Sequence, residues 1–152
     1  MIQIARPSIG YLERRAVDRV LKSGGLAQGP EVAQFETEFS ASLVDGRTVV
    51  AVNSGTSGLH LGLLAMGVGP GDEVIVPSFT FAATANSVAL TGARPVFCDI
   101  DPVTFTLDAK HFESLVTPKT RGVMPVHLFG HPADMAKIVT TAARYGIQVY
   151  ED

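Results

Sequence analysis

The residues best suited to chemistry open at position 49. There an apolar, β-branched run, Val49-Val50-Ala51-Val52, stops at a small polar turn, Asn53-Ser54-Gly55-Thr56-Ser57-Gly58, and a mostly apolar, helix-compatible run follows. Strand, turn and helix start form the frame on which α/β proteins build anion sites. Glycine lets a ligand approach the backbone closely, and the first N–H groups of a helix have no partner within it. The hydroxyls of Thr56 and Ser57 could join the same cradle. The same residues serve equally as an ordinary helix cap, where Ser and Thr are favoured. The spacing does not fit G-x-G-x-x-G, and the lysine of a P-loop is missing.

The remaining candidates divide by what their neighbours permit. His127 and His131 stand four apart, which on a helix would suit a metal, but Gly130 and Pro132 argue against a helix there. His60 lies in an apolar helix-like run and His111 on a surface-like one, so neither is a candidate for chemistry. Asp99 and Asp101, beside Pro102, read as turn and capping residues. Cys98 reads as a small core filler, and the Phe35/Phe39 pair as helix packing.

The elements that must position these groups alternate. Amphipathic helices are expected over 9–22 and from about 31, joined by the unusually apolar loop Gly24-Gly25-Leu26-Ala27-Gln28-Gly29-Pro30. Asp45-Gly46 then turns the chain into a strand over 48–52. Further strands are expected over 73–76, 95–98, 121–126 (with an awkward Pro125) and from 147. Helices are expected between them over 57–66, 80–90, 108–116 and 134–145. The strands are continuous apolar runs, which points to a mostly parallel sheet covered on both faces. In such sheets ligands bind beyond the carboxyl ends of the strands. Those ends supply 53–57, 77–81, Asp99, His127 and Glu151-Asp152, one set that could meet in a single crevice.

Composition narrows the classes. With 152 residues and 46% hydrophobic content the chain can bury a core. A net charge of −3, from 12 basic and 15 acidic residues, argues against a nucleic-acid surface. No apolar run reaches the length of a membrane span, and the first residues lack the pattern of a signal peptide. A single cysteine suits a reducing compartment, so a cytoplasmic location is expected. The final run Ile147-Gln148-Val149-Tyr150-Glu151-Asp152 reads as a strand without its covering crossover, as expected of the first part of a longer polypeptide.

Taken together, several motifs resemble one family. They are Asn53-Ser54-Gly55-Thr56-Ser57-Gly58-Leu59-His60-Leu61, Gly69-Pro70-Gly71-Asp72-Glu73-Val74-Ile75-Val76-Pro77-Ser78-Phe79-Thr80-Phe81-Ala82-Ala83-Thr84-Ala85-Asn86, Pro95-Val96-Phe97-Cys98-Asp99-Ile100-Asp101, Met124-Pro125-Val126-His127-Leu128-Phe129-Gly130 and Tyr150-Glu151-Asp152, with the early loop Gly24-Gly25-Leu26-Ala27-Gln28-Gly29-Pro30. They look like the nucleotide-sugar aminotransferases of the DegT/DnrJ/EryC1/StrS group, enzymes dependent on pyridoxal 5'-phosphate (PLP). The resemblance implies an α/β fold, a three-layer mostly parallel sheet of PLP-dependent transferase fold type I, with the large domain incomplete. Residues 1–46 would form the N-terminal helices and a substrate or dimer loop, and 47–152 the first part of the cofactor-binding domain.

The family's roles carry over onto matching positions. Gly55, Thr56 and Ser57 would hold the cofactor phosphate, and Phe81 would lie flat on the pyridine ring; without the family, Phe81 reads as a core residue. Asp152 would pair with the pyridine nitrogen, a role that its position alone would not suggest. His127 is a further cofactor or substrate candidate, with a structural histidine as the equal alternative. Gly25, Leu26 and Ala27 would contact substrate or the partner subunit. The lysine that carries the cofactor as a Schiff base would lie beyond Asp152, since none of Lys22, Lys110, Lys119 or Lys137 matches its place. The segment alone is therefore expected to be inactive. The whole protein would move an amino group, commonly from glutamate, to a keto group of a nucleotide-linked hexose, as a homodimer. Relatives with histidine in place of that lysine dehydrate keto-sugars instead, and a non-catalytic binding module is the remaining alternative.

Overall fold

The computed structural model describes residues 6–152, so the amino-terminal residues considered for a signal peptide lie mostly outside them. The chain divides into two compact units, one ending at Ala51 and the other Val52–Asp152.

In the first unit, α1 (Tyr11–Ser23) ends at Gly24, whose left-handed φ of 72° lets its N–H return to the Leu21 carbonyl. α2 (Pro30–Leu43) starts with proline, whose missing N–H costs nothing in a first turn. Arg19 and Glu31 join the helices through paired bonds of 2.9 and 3.0 Å. Phe35 and Phe39 pack with ring centroids 5.7 Å apart. The apolar stripe of α1 is real but uncovered: Leu12, Val17 and Leu21 are all exposed. Asp45 (φ 52°) and Gly46 (φ 78°) make the expected turn.

The strand expected over 48–52 does not form. None of the strands pairs with this segment among the described residues, and Ala51 donates its N–H to the Glu36 carboxylate at 2.8 Å instead. β-branched composition favours extended backbone, but a strand exists only through a partner ladder.

The second unit is a three-layer α/β structure. It contains α3 (Gly55–Ala65), β1 (Glu73–Pro77), α4 (Ala83–Leu90), β2 (Arg94–Cys98), α5 (Ala109–Ser114), β3 (Thr120–Val123), a 3₁₀ turn (Leu128–Gly130), α6 (Met135–Tyr145) and β4 (Gln148–Val149). The strands are all parallel in the order β2-β1-β3-β4. Side-chain alternation along β1 feeds two cores. Val74 and Val76 pack with Leu63, Val88 and Met124 on the α3/α4 side, while Ile75 packs with Cys98, Phe112, Val123 and Ile138 on the α5/α6 side. Burial pushes the Cys98 thiol up to about 12, with the Asp108 and Asp99 charges adding to the effect, so it is an inert core group.

Pairing continues beyond the short β4. Tyr150 N–H donates to the Val123 carbonyl at 3.0 Å, Asp152 N–H to Pro125 at 3.0 Å, and His127 N–H to the Asp152 carbonyl at 3.0 Å. Pro125 is tolerated because its carbonyl still accepts although it has no N–H to give.

At the opposite end of β1, Glu73 is buried, and its carboxylate accepts from Arg94 Nη2 at 2.6 Å and Thr117 Oγ1 at 2.7 Å. Arg94 first, then Thr117, hold this carboxyl below its usual value of 4.5 against the cost of burial. A depressed folded-state pKa stabilises the protein above the unfolded value and loses that contribution as pH falls through the folded one. Glu73→Gln in the full-length protein should therefore cost about 1–3 kcal/mol near neutral pH. Its urea midpoint should approach that of the unsubstituted protein on acidification below about pH 4. A gap that stays constant with pH would contradict the assigned ion pair.

Candidate active site

The helix start foreseen at Ser57 falls two residues earlier, and Ser54 rather than Thr56 or Ser57 is the cap. Ser54 Oγ accepts from the Ser57 N–H at 3.1 Å and lies 2.9 Å from Ser57 Oγ. Gly55 and Thr56 thus occupy the first two helical positions, whose N–H groups have no intrahelical acceptor. The cap falls to Ser54, which leaves the Gly55 and Thr56 N–H groups facing outward at the helix start.

Gly55 and Thr56 share a cleft of about 230 Å³ with Leu59, Phe81, Ala83, Thr84 and Asp152. Phe81 is 79% exposed, so its ring is not a core residue but a free aromatic face at the cleft. Asp152 is fixed through its backbone by Pro125 and His127, and through its side chain by Thr84, whose hydroxyl donates to Oδ2 at 2.5 Å. Thr84 Oγ1 lies 3.0 Å from Thr80 Oγ1.

Tyr150 anchors the floor. Its hydroxyl donates to the Gly58 carbonyl in α3 at 2.8 Å, and burial, with a smaller contribution from Asp152, raises its pKa. The ring runs so close to α3 that a Cβ on Gly62 would lie 2.2 Å from Tyr150 Oη.

His127 stands beside the cleft-lining set. Its Nδ1 accepts from the Ala133 N–H at 3.2 Å, which puts the proton on Nε2, 2.9 Å from Glu151 Oε2. The ring thus ties the end of β3 to residue 151 and to the approach to α6. Asp99 is not brought into the cleft. Its N–H donates to His111 Nδ1 at 2.8 Å, because β2 is an edge strand whose end is folded onto α5. Asp101 accepts from the N–H groups of Val103 and Thr104, as a turn residue does. Among the described residues no cluster of His, Cys, Asp or Glu could hold a metal. Gly25, Leu26 and Ala27 lie in the α1–α2 loop of the first unit, where Gly25 N–H is held by Ser23 Oγ at 3.2 Å. Thr84 is the residue that sequence reading passed over.

The three-layer α/β arrangement with its parallel sheet is that of the PLP-dependent transferases of fold type I, to which the similar solved structures belong. The model of the DegT/DnrJ/EryC1/StrS aminotransferase family matches residues 7–152, and the chain belongs to that family. It is 49% identical over 146 residues to the spore coat polysaccharide biosynthesis protein SpsC of Bacillus subtilis (strain 168), covering 96% of this chain and 37% of that protein. Among solved structures it is similar to DesV of S. venezuelae in complex with a ketimine intermediate, with TM-score 0.86 and 46% identity over 91% of this chain and 37% of that one. It is likewise similar to NtdA of Bacillus subtilis with bound cofactor PMP, with TM-score 0.86 and 42% identity over 91% and 32% of the two chains. The chain therefore spans well under half the length of these relatives.

The cleft's donor set fits such a cofactor. The Gly55 and Thr56 N–H groups and the Thr56 hydroxyl suit a phosphate, the Phe81 face suits a flat heterocycle, and Asp152 suits a protonated ring nitrogen. None of the four lysines lines the cleft. Lys22 and Lys137 are paired with Asp18 at 2.6 Å and Asp134 at 2.5 Å, and Lys110 and Lys119 border other hollows.

Proposed function

We propose that the full-length protein is a PLP-dependent aminotransferase that moves an amino group, with glutamate as donor, to a keto group of a nucleotide-linked sugar. The observation that carries this reading is the convergence of the α3 start, Phe81 and Asp152 on one cleft. When bound, the cofactor would supply the electron sink that lets a C–H bond next to nitrogen break and re-form.

The chain's own residues do the rest. The Gly55 and Thr56 N–H groups, with the Thr56 and Ser57 hydroxyls, would hold the phosphate. Phe81 would offer its face to the flat ring and shield it from water. Asp152 holds a proton on the ring nitrogen through an ion pair. His127, locked by Glu151 and Ala133 and bonded through its N–H to the Asp152 carbonyl, would keep residues 151 and 152 in register for the cofactor. None of the chain's four lysines lines the cleft, so the covalent lysine is assigned to the full-length protein outside this chain. We assign Gly25, Leu26 and Ala27 to the substrate or a second subunit, and the exposed stripe Leu12, Val17 and Leu21 supports a homodimer.

The test is to incubate full-length protein with PLP, glutamate and a nucleotide-linked keto-hexose. Release of 2-oxoglutarate matched by an aminated sugar is the expected result. Loss of water from the sugar without glutamate consumption would replace this reading with the dehydratase.

A further inference from the structure

We propose that Thr84 is a positioning residue: held in turn by Thr80, its hydroxyl orients the Asp152 carboxylate so that one oxygen remains for the cofactor's ring nitrogen. The inference rests on the cofactor reading above.

The direction of the hydrogen bonds follows from chemistry. An ionised carboxylate only accepts, so the single Thr84 proton goes to Asp152 Oδ2 at 2.5 Å. Thr84 Oγ1 must then accept from the Thr80 hydroxyl, 3.0 Å away. The result is an ordered relay, Thr80 to Thr84 to Asp152, ending in a charge-assisted bond.

The behaviour of neighbouring hydroxyls shows that this is not the default for α4. A buried Ser or Thr in a helix usually returns its proton to a carbonyl of the preceding turn. Ser87 does so to the Thr84 carbonyl at 2.8 Å, and Thr91 does so to Val88 at 2.7 Å. Thr84, with no exposed surface, instead reaches a residue 68 positions along the chain. With its N–H on Pro125, its carbonyl under His127 and Oδ2 under Thr84, Asp152 retains Oδ1 clear of all these bonds. A carboxylate so held pays no ordering cost when it meets the ring.

The experiment uses full-length protein as Thr84→Val, which keeps the shape without the hydroxyl, Thr84→Ser, which restores it, and Thr80→Val. Each apoprotein is titrated with PLP labelled with ¹⁵N in the ring, reading the dissociation constant and the ring-nitrogen chemical shift against pH. Unsubstituted protein and Thr84→Ser should keep the nitrogen protonated through neutral and mildly alkaline pH. Thr84→Val should bind on the order of 10-fold more weakly, and its nitrogen should lose the proton at lower pH. Thr80→Val should show the same change in smaller degree, about two- to three-fold, and keeps the relay testable should Thr84→Val not fold. An unchanged shift and affinity in Thr84→Val, or in Thr80→Val where that variant stands in, overturns the inference. So does Thr84→Ser behaving like Thr84→Val, since packing rather than the hydroxyl would then be at work. Failure of the unsubstituted protein to bind PLP overturns the cofactor reading itself, and this inference with it.

Discussion

Asp152→Ala in the full-length protein is expected to lower the rate of amino transfer on the order of 10³-fold while leaving the fold intact. The reasoning starts from what Asp152 does and does not support. Its backbone closes the β3–β4 ladder through bonds at 3.0 Å to Pro125 and from His127, and alanine preserves both. Its side chain is exposed rather than part of either core, so removing it leaves no cavity among packed residues. What disappears is the one carboxylate that borders the cleft among the described residues. On the proposed role, a bound cofactor's ring nitrogen would then lose its ionic partner and the cofactor would be a poorer electron sink. Initial rates of 2-oxoglutarate release, alongside the thermal midpoint of the same preparation, give the comparison. A rate within about three-fold of the unsubstituted protein would remove Asp152 from its assigned role.

Gly62→Ala is expected to destabilise the full-length protein by about 3 kcal/mol and to weaken cofactor binding with it. A Cβ at this position meets Tyr150 Oη at 2.2 Å, Cζ at 2.3 Å and Cε1 at 2.9 Å, so the ring cannot stay where it is. Any movement that relieves the clash breaks the 2.8 Å bond from Tyr150 to the Gly58 carbonyl. It also shifts the strand end that carries Asp152. Gly69→Ala is the control, because nothing lies within 4 Å of its added methyl, and it should change stability by less than about 0.5 kcal/mol. Urea midpoints for both variants decide the matter. Gly62→Ala combined with Tyr150→Ala should lose less than the two single changes added together, since the clash disappears with the ring. Additive losses would show that the strain lies elsewhere.

How much of this was legible in the sequence depended on the range over which each feature is decided. Local signals worked: the caps and apolar periods placed the helices, and continuous apolar strands implied the covered parallel sheet that the structure contains. The strand-end rule drew attention to 53–57, Phe81 and Asp152, and the structure brings Gly55, Thr56, Phe81 and Asp152 to one cleft. The same rule also offered Asp99, because sequence does not reveal that β2 is an edge strand whose end is folded onto His111. The segment over 48–52 reads as a strand for sound reasons of composition, but pairing is a tertiary event and no neighbour pairs with it among the described residues. Thr84 was hidden in a run of small residues typical of a packed helix. Its bond to Asp152 spans 68 positions, and no local pattern records it. The cap at Ser54 was displaced for a simpler reason: Ser54, Thr56 and Ser57 can each cap a helix, and only backbone geometry chooses among them.

The central claim is that the cleft between the α3 start, Phe81 and Asp152 holds PLP in the complete protein. The most direct measurement is to add PLP to full-length protein, reduce with borohydride, and locate the retained cofactor by peptide mass. One cofactor per chain, attached to a lysine outside the 152 residues of this sequence and retained less completely when Asp152 is replaced before reduction, is the expected result. A full-length protein that retains no cofactor and shows no absorbance change on titration would contradict the account.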